Sequence, residues 1–361
     1  AGRPGAAAAA APAGYHPQAH LYPHHHHPQH LAPGPAHHAH GHGHGHGLAP
    51  HPPIPEGAAL VAEPPPHYAG GGGGPACRHF PGRPLVYDAA AALAKGAEKL
   101  REFNGGLPEG TALDTADFER VLNIVQTLSA TSRYHVSTID EKEIKALNKL
   151  LKQWPNDKVF PGIDILRVML VHPDGSQKLS AAPETAQEIL PMLIQKALEL
   201  KDSVAVPLLV LRALCNALRH PALGAALCAG PAADGALELA AELAAGAANK
   251  NVRASAATLA MNLGLALAQD AGVTASEART AQLLGLVSGA LAEIRQEEDE
   301  NAFRLLVAVG TLLQNPSLSA QVASQFNDLE MRTSLNSLVA QPGKSQKVKE
   351  SIEDIMKLIQ S

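Results

Sequence analysis

The chain has 361 residues, a formal net charge of −5, 45% hydrophobic residues and only 3% aromatics. Few aromatics and a surplus of Ala and Leu argue for close-packed helices and against a β-sandwich. The slight acidity supplies no basic field for nucleic acid, and no uninterrupted apolar run reaches the roughly 18 residues a bilayer span needs.

Residues 1–79 are built mainly of Ala, Gly, Pro and His. They hold 16 of the 19 histidines and, as formal charges, only Arg3, Arg78, Glu56 and Glu63. Such a segment cannot bury enough apolar area to offset the entropy of ordering, so a disordered linker is expected. The stretch HHAHGHGHGHGL (37–48) offers imidazoles for loose binding of Zn, Ni or Cu. Gly alternation gives no fixed ligand geometry, and no metal site or cofactor is assigned. The glycine run 70–74 has no Gly-Lys-Ser/Thr after it and is not a phosphate loop. A start at Ala1 with no Met and no signal pattern suggests that upstream sequence is missing, whereas Ser361, closing an apolar helix, reads as a natural C-terminus.

From residue 80 to 361, charged and aliphatic residues alternate as in a folded protein, with 27 Lys and Arg against 32 Asp and Glu. PGRPLVYD (81–88) is extended by its two prolines, and Asp88 is read as the cap of a helix ending at Asn104-Gly105-Gly106. Helices follow from the Asp114–Asp117 region, over IDEKEIKALNKLLKQW to Pro155, and over VFPGIDILRVMLVHP with Pro161 in its first turn. Residues 185–200 form one amphipathic helix and 208–218 (LLVLRALCNAL) a strongly apolar one. Helices at 222–229, 233–245, 253–269, 276–295, 297–314, 317–327, 330–339 and 344–359 complete the expected set. Cys215 and Cys228 sit in apolar helical sequence as core thiols, and neither pairs with Cys77 in a CxxC motif, which fits a reducing cytosolic or nuclear setting.

The helix 208–218 recurs. Arg212 corresponds to Arg167 and Arg304, with Thr258 in the intervening copy, and Asn216 corresponds to Asn262; the steps are 45, 46 and 46 residues. His172-Pro173, His220-Pro221 and Asn315-Pro316 end three of the copies, a second and independent repeat mark. A period of about 40–47 residues in helical sequence is that of armadillo or HEAT arrays, so the expected fold is an all-α solenoid of about six repeats.

One Arg or Asn per repeat, in register, makes a ladder along the inner helices. Asn can hold a peptide backbone through donor and acceptor together, and Arg can fork onto a carboxylate. Arg167, Arg212, Asn216, Asn262 and Arg304 are therefore candidates for a groove that takes an extended acidic peptide, and Lys250 and Asn251 would lengthen it. The competing reading pairs Arg167 with Asp164 and Arg304 with Glu300, and makes Lys250 and Asn251 a helix cap. Catalysis finds little support. His172 and His220 precede prolines at helix ends, where a turn role fits better, and no HExxH, GxSxG or phosphate-loop motif occurs.

REFNGGL, VFPGIDILRVMLVHP, LLVLRALCNAL, NKNVRASAATLAMNL and AFRLLVAVGTLL together resemble the PUL domain, the C-terminal domain of the phospholipase-activating-protein family with its ubiquitin-fusion-degradation relatives. The resemblance covers about 82–361 and departs at the Ala-rich helices of 222–248. It implies an armadillo-like array and a non-catalytic adaptor of the ubiquitin–proteasome pathway. Its basic concave groove would bind the acidic C-terminal tail of the AAA+ ATPase called valosin-containing protein, with Arg167 and Arg304 foremost. Ubiquitin would be engaged through WD-repeat and PFU domains that this chain lacks. A PUL module behind a thioredoxin-like or thiol-peptidase domain, and an armadillo receptor for basic peptides, stand as alternatives.

Overall fold

The computed structural model describes residues 77–80, 82–130, 137–230, 232–269, 276–329 and 331–360. The expected linker and its His/Gly tract thus lie outside the described residues, apart from Cys77, Arg78 and His79. The described residues form fifteen α-helices and no strand: α1 (Leu93–Gly106), α2 (Thr115–Ala130), α3 (Glu141–Gln153), α4 (Phe160–Met169), α5 (Pro173–Ala181), α6 (Leu190–Glu199), α7 (Ala205–Ala217), α8 (Pro221–Ala229), α9 (Ala232–Gly246), α10 (Lys250–Gln269), α11 (Ser276–Ala292), α12 (Asp299–Gln314), α13 (Ser319–Asp328), α14 (Met331–Ala340) and α15 (Gln346–Gln360).

Two layers follow from which helices touch. α1, α4, α7, α10, α12 and α15 pack in succession as one layer, and α6, α9, α11 and the α13–α14 pair follow one another as the second, which α3 joins through the turn 185–189 ahead of α6. Six helices in the first layer give the six-repeat solenoid that the 45–46-residue period requires. α10 touches α7, α9, α11 and α12, and is buried from Val252 to Ala268 with few gaps. That central position explains why TLAMNLGLALA is apolar on every side. Gly264 lets α10 approach α12 closely, since a Cβ there would stand 3.1 Å from the Ala308 Cα.

Local signals set several helix starts. Asp140 and Glu143 form a capping box on α3, and the Asp114 carboxylate accepts from the Asp117 N–H at 2.9 Å. The two histidines at the repeat junctions have turn roles. His172 Nδ1 accepts from the Gly175 N–H at 3.1 Å, capping α5. His220 Nε2 lies 2.7 Å from the Leu170 carbonyl, in the turn that ends α4. Helix C-termini leave their last carbonyls without intrahelical donors, and here the next repeat supplies them. Asn216 Nδ2 donates to the Arg167 carbonyl at 2.8 Å, Asn262 Nδ2 to that of Cys215 at 3.4 Å, and Asn315 Nδ2 to that of Ala268 at 2.7 Å.

Two expectations need correction. Residues 185–200 are not one α-helix: a π-helical turn, Thr185–Ile189, precedes α6. Pro191, in the first turn of α6, has no N–H for the α-helical ladder there, and the wider turn takes up the gap. Asp88 caps nothing. α1 begins at Leu93, its N-cap is Ala92, and no side chain caps it. The Tyr87 and Ala89 carbonyls are held instead by Arg167, and a chain so engaged is not free to start a helix at 88.

Candidate functional site

The segment ahead of α1 is an arm laid along the first layer. It runs opposite to the helix order, from α15 at Arg78 to α4 at Ala89. Its centre is bracketed by the two asparagines. Asn262 Oδ1 accepts from the Leu85 N–H at 2.9 Å and its Nδ2 donates to the Leu85 carbonyl at 2.8 Å. Asn216 treats Tyr87 the same way, at 2.7 and 2.9 Å. In an extended chain residues two apart face the same side, so asparagines one repeat apart catch residues 85 and 87. Both asparagines are fully buried and each also ties back to the preceding helix. Gln269 Nε2 reaches the Gly82 carbonyl at 3.3 Å.

The arginines divide into two groups. Arg167 is buried. Its Nε donates to Asp164 Oδ1 at 2.8 Å, Nη1 to the Tyr87 carbonyl at 2.6 Å and Nη2 to the Ala89 carbonyl at 2.8 Å. Arg212 and Arg304 instead stand around the Tyr87 side chain. The Arg212 guanidinium stacks 4.9 Å from the ring centroid, and its Nε is 3.4 Å from Ser255 Oγ. The Tyr87 hydroxyl donates to Thr258 Oγ1 at 2.9 Å. Arg304 Nη1 donates to that same oxygen at 2.8 Å, and Thr258 passes its own proton to the Ala254 carbonyl at 2.7 Å. Glu300 stands 3.4 Å from Arg304 Nε, close enough to pair but without a hydrogen bond. Burial pushes the Tyr87 phenol up and draws the Arg212 guanidinium down from its ordinary range.

Apolar contacts and a charged clamp hold the outer part of the arm. Phe80 and Leu85 pack with Met261, Leu265, Phe303 and Val307. Gly310 makes room for the Phe80 ring, which a Cβ at that position would overlap. Arg78 and His79, which composition assigns to the preceding segment, bind α15. The Arg78 main-chain N–H reaches Asp354 Oδ2 at 3.1 Å, its Nη2 reaches Asp354 Oδ1 at 2.9 Å and Glu353 at 3.0 Å, and His79 Nε2 lies 2.6 Å from Glu350. Burial alone would raise the Asp354 carboxyl, but the Arg78 hydrogen bonds hold it below the usual range; the hydrogen bond to His79 chiefly lowers Glu350. Depressed carboxylates contribute stability above their unfolded pKa of about 4 and lose it as pH falls through the folded value. Between pH 5 and 3, amide exchange at 78–80 is therefore expected to rise before exchange in α12. Hydrogen-exchange mass spectrometry with intrinsic rates corrected for pH would check this, and equal loss in both segments would contradict it.

The structure thus brings together Arg167, Arg212, Asn216, Asn262 and Arg304 around one extended segment, which belongs to the chain itself. Both expected carboxylate pairings, Asp164 with Arg167 and Glu300 with Arg304, are also present. Lys250 and Asn251 are not in this cluster. They open α10, where Asn249 Oδ1 accepts from the Asn251 N–H at 2.8 Å, and eleven residues of helix, about 16 Å, separate Asn251 from Asn262. Sequence reasoning missed Tyr87. Its signal was the proline-extended segment itself, which no side-chain pattern linked to the ladder. Among the described residues no group of three His, Cys, Asp or Glu is placed to hold a metal, and no helix is long and apolar enough to cross a membrane. Cys215 is fully buried, and burial pushes its thiol well up, away from the thiolate that nucleophilic chemistry needs.

Comparison with known proteins adds two findings. The family model described as the PUL domain matches residues 81–354. A phospholipase A-2-activating protein from Xenopus laevis is 25% identical over 244 residues, which is 68% of this chain and 28% of that protein. The chain therefore spans less than a third of the relative it matches.

Proposed function

The chain belongs to the PUL-domain family, and from that premise we propose that it is a non-catalytic adaptor module of the ubiquitin–proteasome pathway. It binds the acidic C-terminal tail of a valosin-containing-protein type AAA+ ATPase, and ubiquitin is engaged through domains outside this chain. The observation that carries the reading is the pair of guanidinium groups, Arg212 and Arg304, on a layer built to hold extended backbone. Acidic side chains running along that layer meet forked donors there. The buried, unbridged thiols of Cys215 and Cys228 suit the reducing cytosol and nucleus in which such an adaptor works.

A fluorescent copy of the ATPase tail, titrated at low and moderate salt, tests this. Arg304→Ala and Arg212→Ala are each expected to weaken binding roughly ten- to a hundredfold, the equivalent of about 1.5–3 kcal/mol for a lost charged hydrogen bond. Binding should also weaken as salt rises. Arg167, foremost in the sequence reading, is a poor probe because the arm covers it. A wild-type chain that ignores the tail, or variants that bind as well as wild type, would defeat the proposal.

A further inference from the structure

The arm occupies the backbone-holding ladder that a partner peptide would be expected to use. Either the partner displaces the arm, or the arm is part of the partner's seat. Three features of the arm favour the second arrangement.

The first is what the arm covers. Its floor consists of neutral amides, Asn216 and Asn262, and of the apolar cluster that receives Phe80 and Leu85. That floor suits an apolar guest and gives an acidic one nothing. Arg167, the cation beneath the arm, already has Asp164 as its counter-charge.

The second is what the arm leaves open. Residues 85 and 87 turn their N–H and C=O groups toward the asparagines, so Val86 turns its own pair the opposite way. Among the described residues nothing bonds the Val86 main chain. On the same segment Arg212 stacks on Tyr87 and has no carboxylate within ion-pair distance among the described residues. Its one hydrogen bond among the described residues is from Nε to Ser255, which leaves both Nη groups with unspent donors. Arg304 spends Nη1 on Thr258 and Ala254 and has Glu300 3.4 Å from its Nε, but that carboxylate is half exposed and is shared with Lys347, and the Arg304 Nη2 makes no hydrogen bond among the described residues. Tyr87 stands between these two cations, with its face on one and its hydroxyl on the oxygen that the other also binds.

The third is the cost of removal. The arm is covalently tethered, so a competitor meets an effective local concentration on the order of millimolar as well as the hydrogen bonds at Gly82, Leu85, Tyr87 and Ala89. The family match begins at residue 81, which puts this segment within the domain.

We infer that the arm completes the acidic-peptide seat: Tyr87 positions Arg212 and Arg304 as a two-guanidinium receptor for carboxylates of an extended acidic peptide that runs beside the arm along the Val86 edge. This deepens, and rests on, the binding reading above. Tyr87 is a positioning residue, and the ligand chemistry is that of a linear peptide rich in Asp and Glu, paired by main-chain bonds as an added strand.

Two fluorescein-labelled peptides test it: the acidic ATPase tail, and a scrambled peptide of the same composition. They are titrated against wild type, Tyr87→Ala, Tyr87→Phe and a chain beginning at residue 90, with helicity followed by circular dichroism. Tyr87→Ala is expected to bind about tenfold or more weakly at unchanged helicity. Tyr87→Phe, which keeps the ring on Arg212, should recover most of that loss, a rescue that a purely structural tyrosine would not require. The shortened chain should also lose affinity, and if it does not fold, the Tyr87 pair still decides. Equal or tighter binding by Tyr87→Ala overturns the inference, and tighter binding would mark the arm as a competitor. Wild-type binding of both peptides alike would sink the ATPase-tail reading while the seat stands. Binding of neither overturns the seat itself.

Discussion

Replacing Arg167 by alanine should lower the stability of the folded domain by about 3–5 kcal/mol, a loss that precedes any effect on a partner. The side chains of Arg167 and Asp164 are 5% and 3% exposed. Removing the guanidinium leaves a carboxylate buried without its counter-ion, and one of its oxygens, Oδ2, already lacks a hydrogen bond. The Tyr87 and Ala89 carbonyls lose their donors in the same step. Urea unfolding with a matched slope measures the loss, and amide exchange at 85–89 reports whether the arm lifts with it. Arg167→Lys should recover only part, because an ammonium cannot serve the carboxylate and two divergent carbonyls with the same planar fork. Asp164→Ala combined with Arg167→Ala should cost less than the sum of the two single changes, since the stranded charge has gone. A loss below about 1 kcal/mol for Arg167→Ala would mean that this pair adds little, as exposed pairs do.

The same residue shows where sequence reasoning reached and where it stopped. The step of 45–46 residues between Arg167, Arg212, Thr258 and Arg304 was legible because helices in register must repeat their polar intrusions. The structure puts those four positions in one layer. The junction histidines were legible too, since a His before Pro at a helix end has few other uses. What no local pattern carried was the identity of the ladder's occupant. Asp88 before an Ala run is a sound helix start by every neighbouring residue. It fails because Arg167, some eighty positions on, takes the Ala89 carbonyl that the helix would have needed and the Tyr87 carbonyl just before it. Asn216 and Asn262 were read as peptide holders. They hold a peptide segment, but each also mends the open C-terminus of the helix before it, and that second task would keep them buried with no partner at all. Thr258, noted only as an interruption of the Arg series, is the oxygen on which Tyr87 and Arg304 meet.

Arg253 was overlooked for a related reason: it lies five residues off the ladder register and looks like a snorkelling side chain at the start of an apolar helix. In the fold it is 3% exposed and ties three elements together. Its Nε donates to Glu298 at 2.5 Å, and its Nη1 takes the Ala247 and Ala248 carbonyls just past the end of α9, at 2.5 and 2.8 Å. Glu298 is itself the N-cap position of α12 and 8% exposed. Arg253→Ala is therefore expected to cost about 3–5 kcal/mol by stranding a buried carboxylate. Glu298→Gln should cost less, because an amide oxygen still accepts from the guanidinium. Exchanging both residues for apolar ones of similar volume, Arg253→Met with Glu298→Leu, should restore much of the loss, since a buried pair's desolvation offsets most of its attraction. The internal control is the pair Arg279 and Asp234, which also bridges neighbouring repeats, from α11 to α9, but leaves Asp234 70% exposed. Arg279→Ala there should cost under about 1 kcal/mol. Thermal and urea unfolding of the four variants should place Arg253→Ala, which strands a buried carboxylate, well below Arg279→Ala, which leaves an exposed one, with Glu298→Gln and the double exchange above Arg253→Ala. An Arg279→Ala loss as large as that of Arg253→Ala would show that bridging repeats, and not burial, sets the cost.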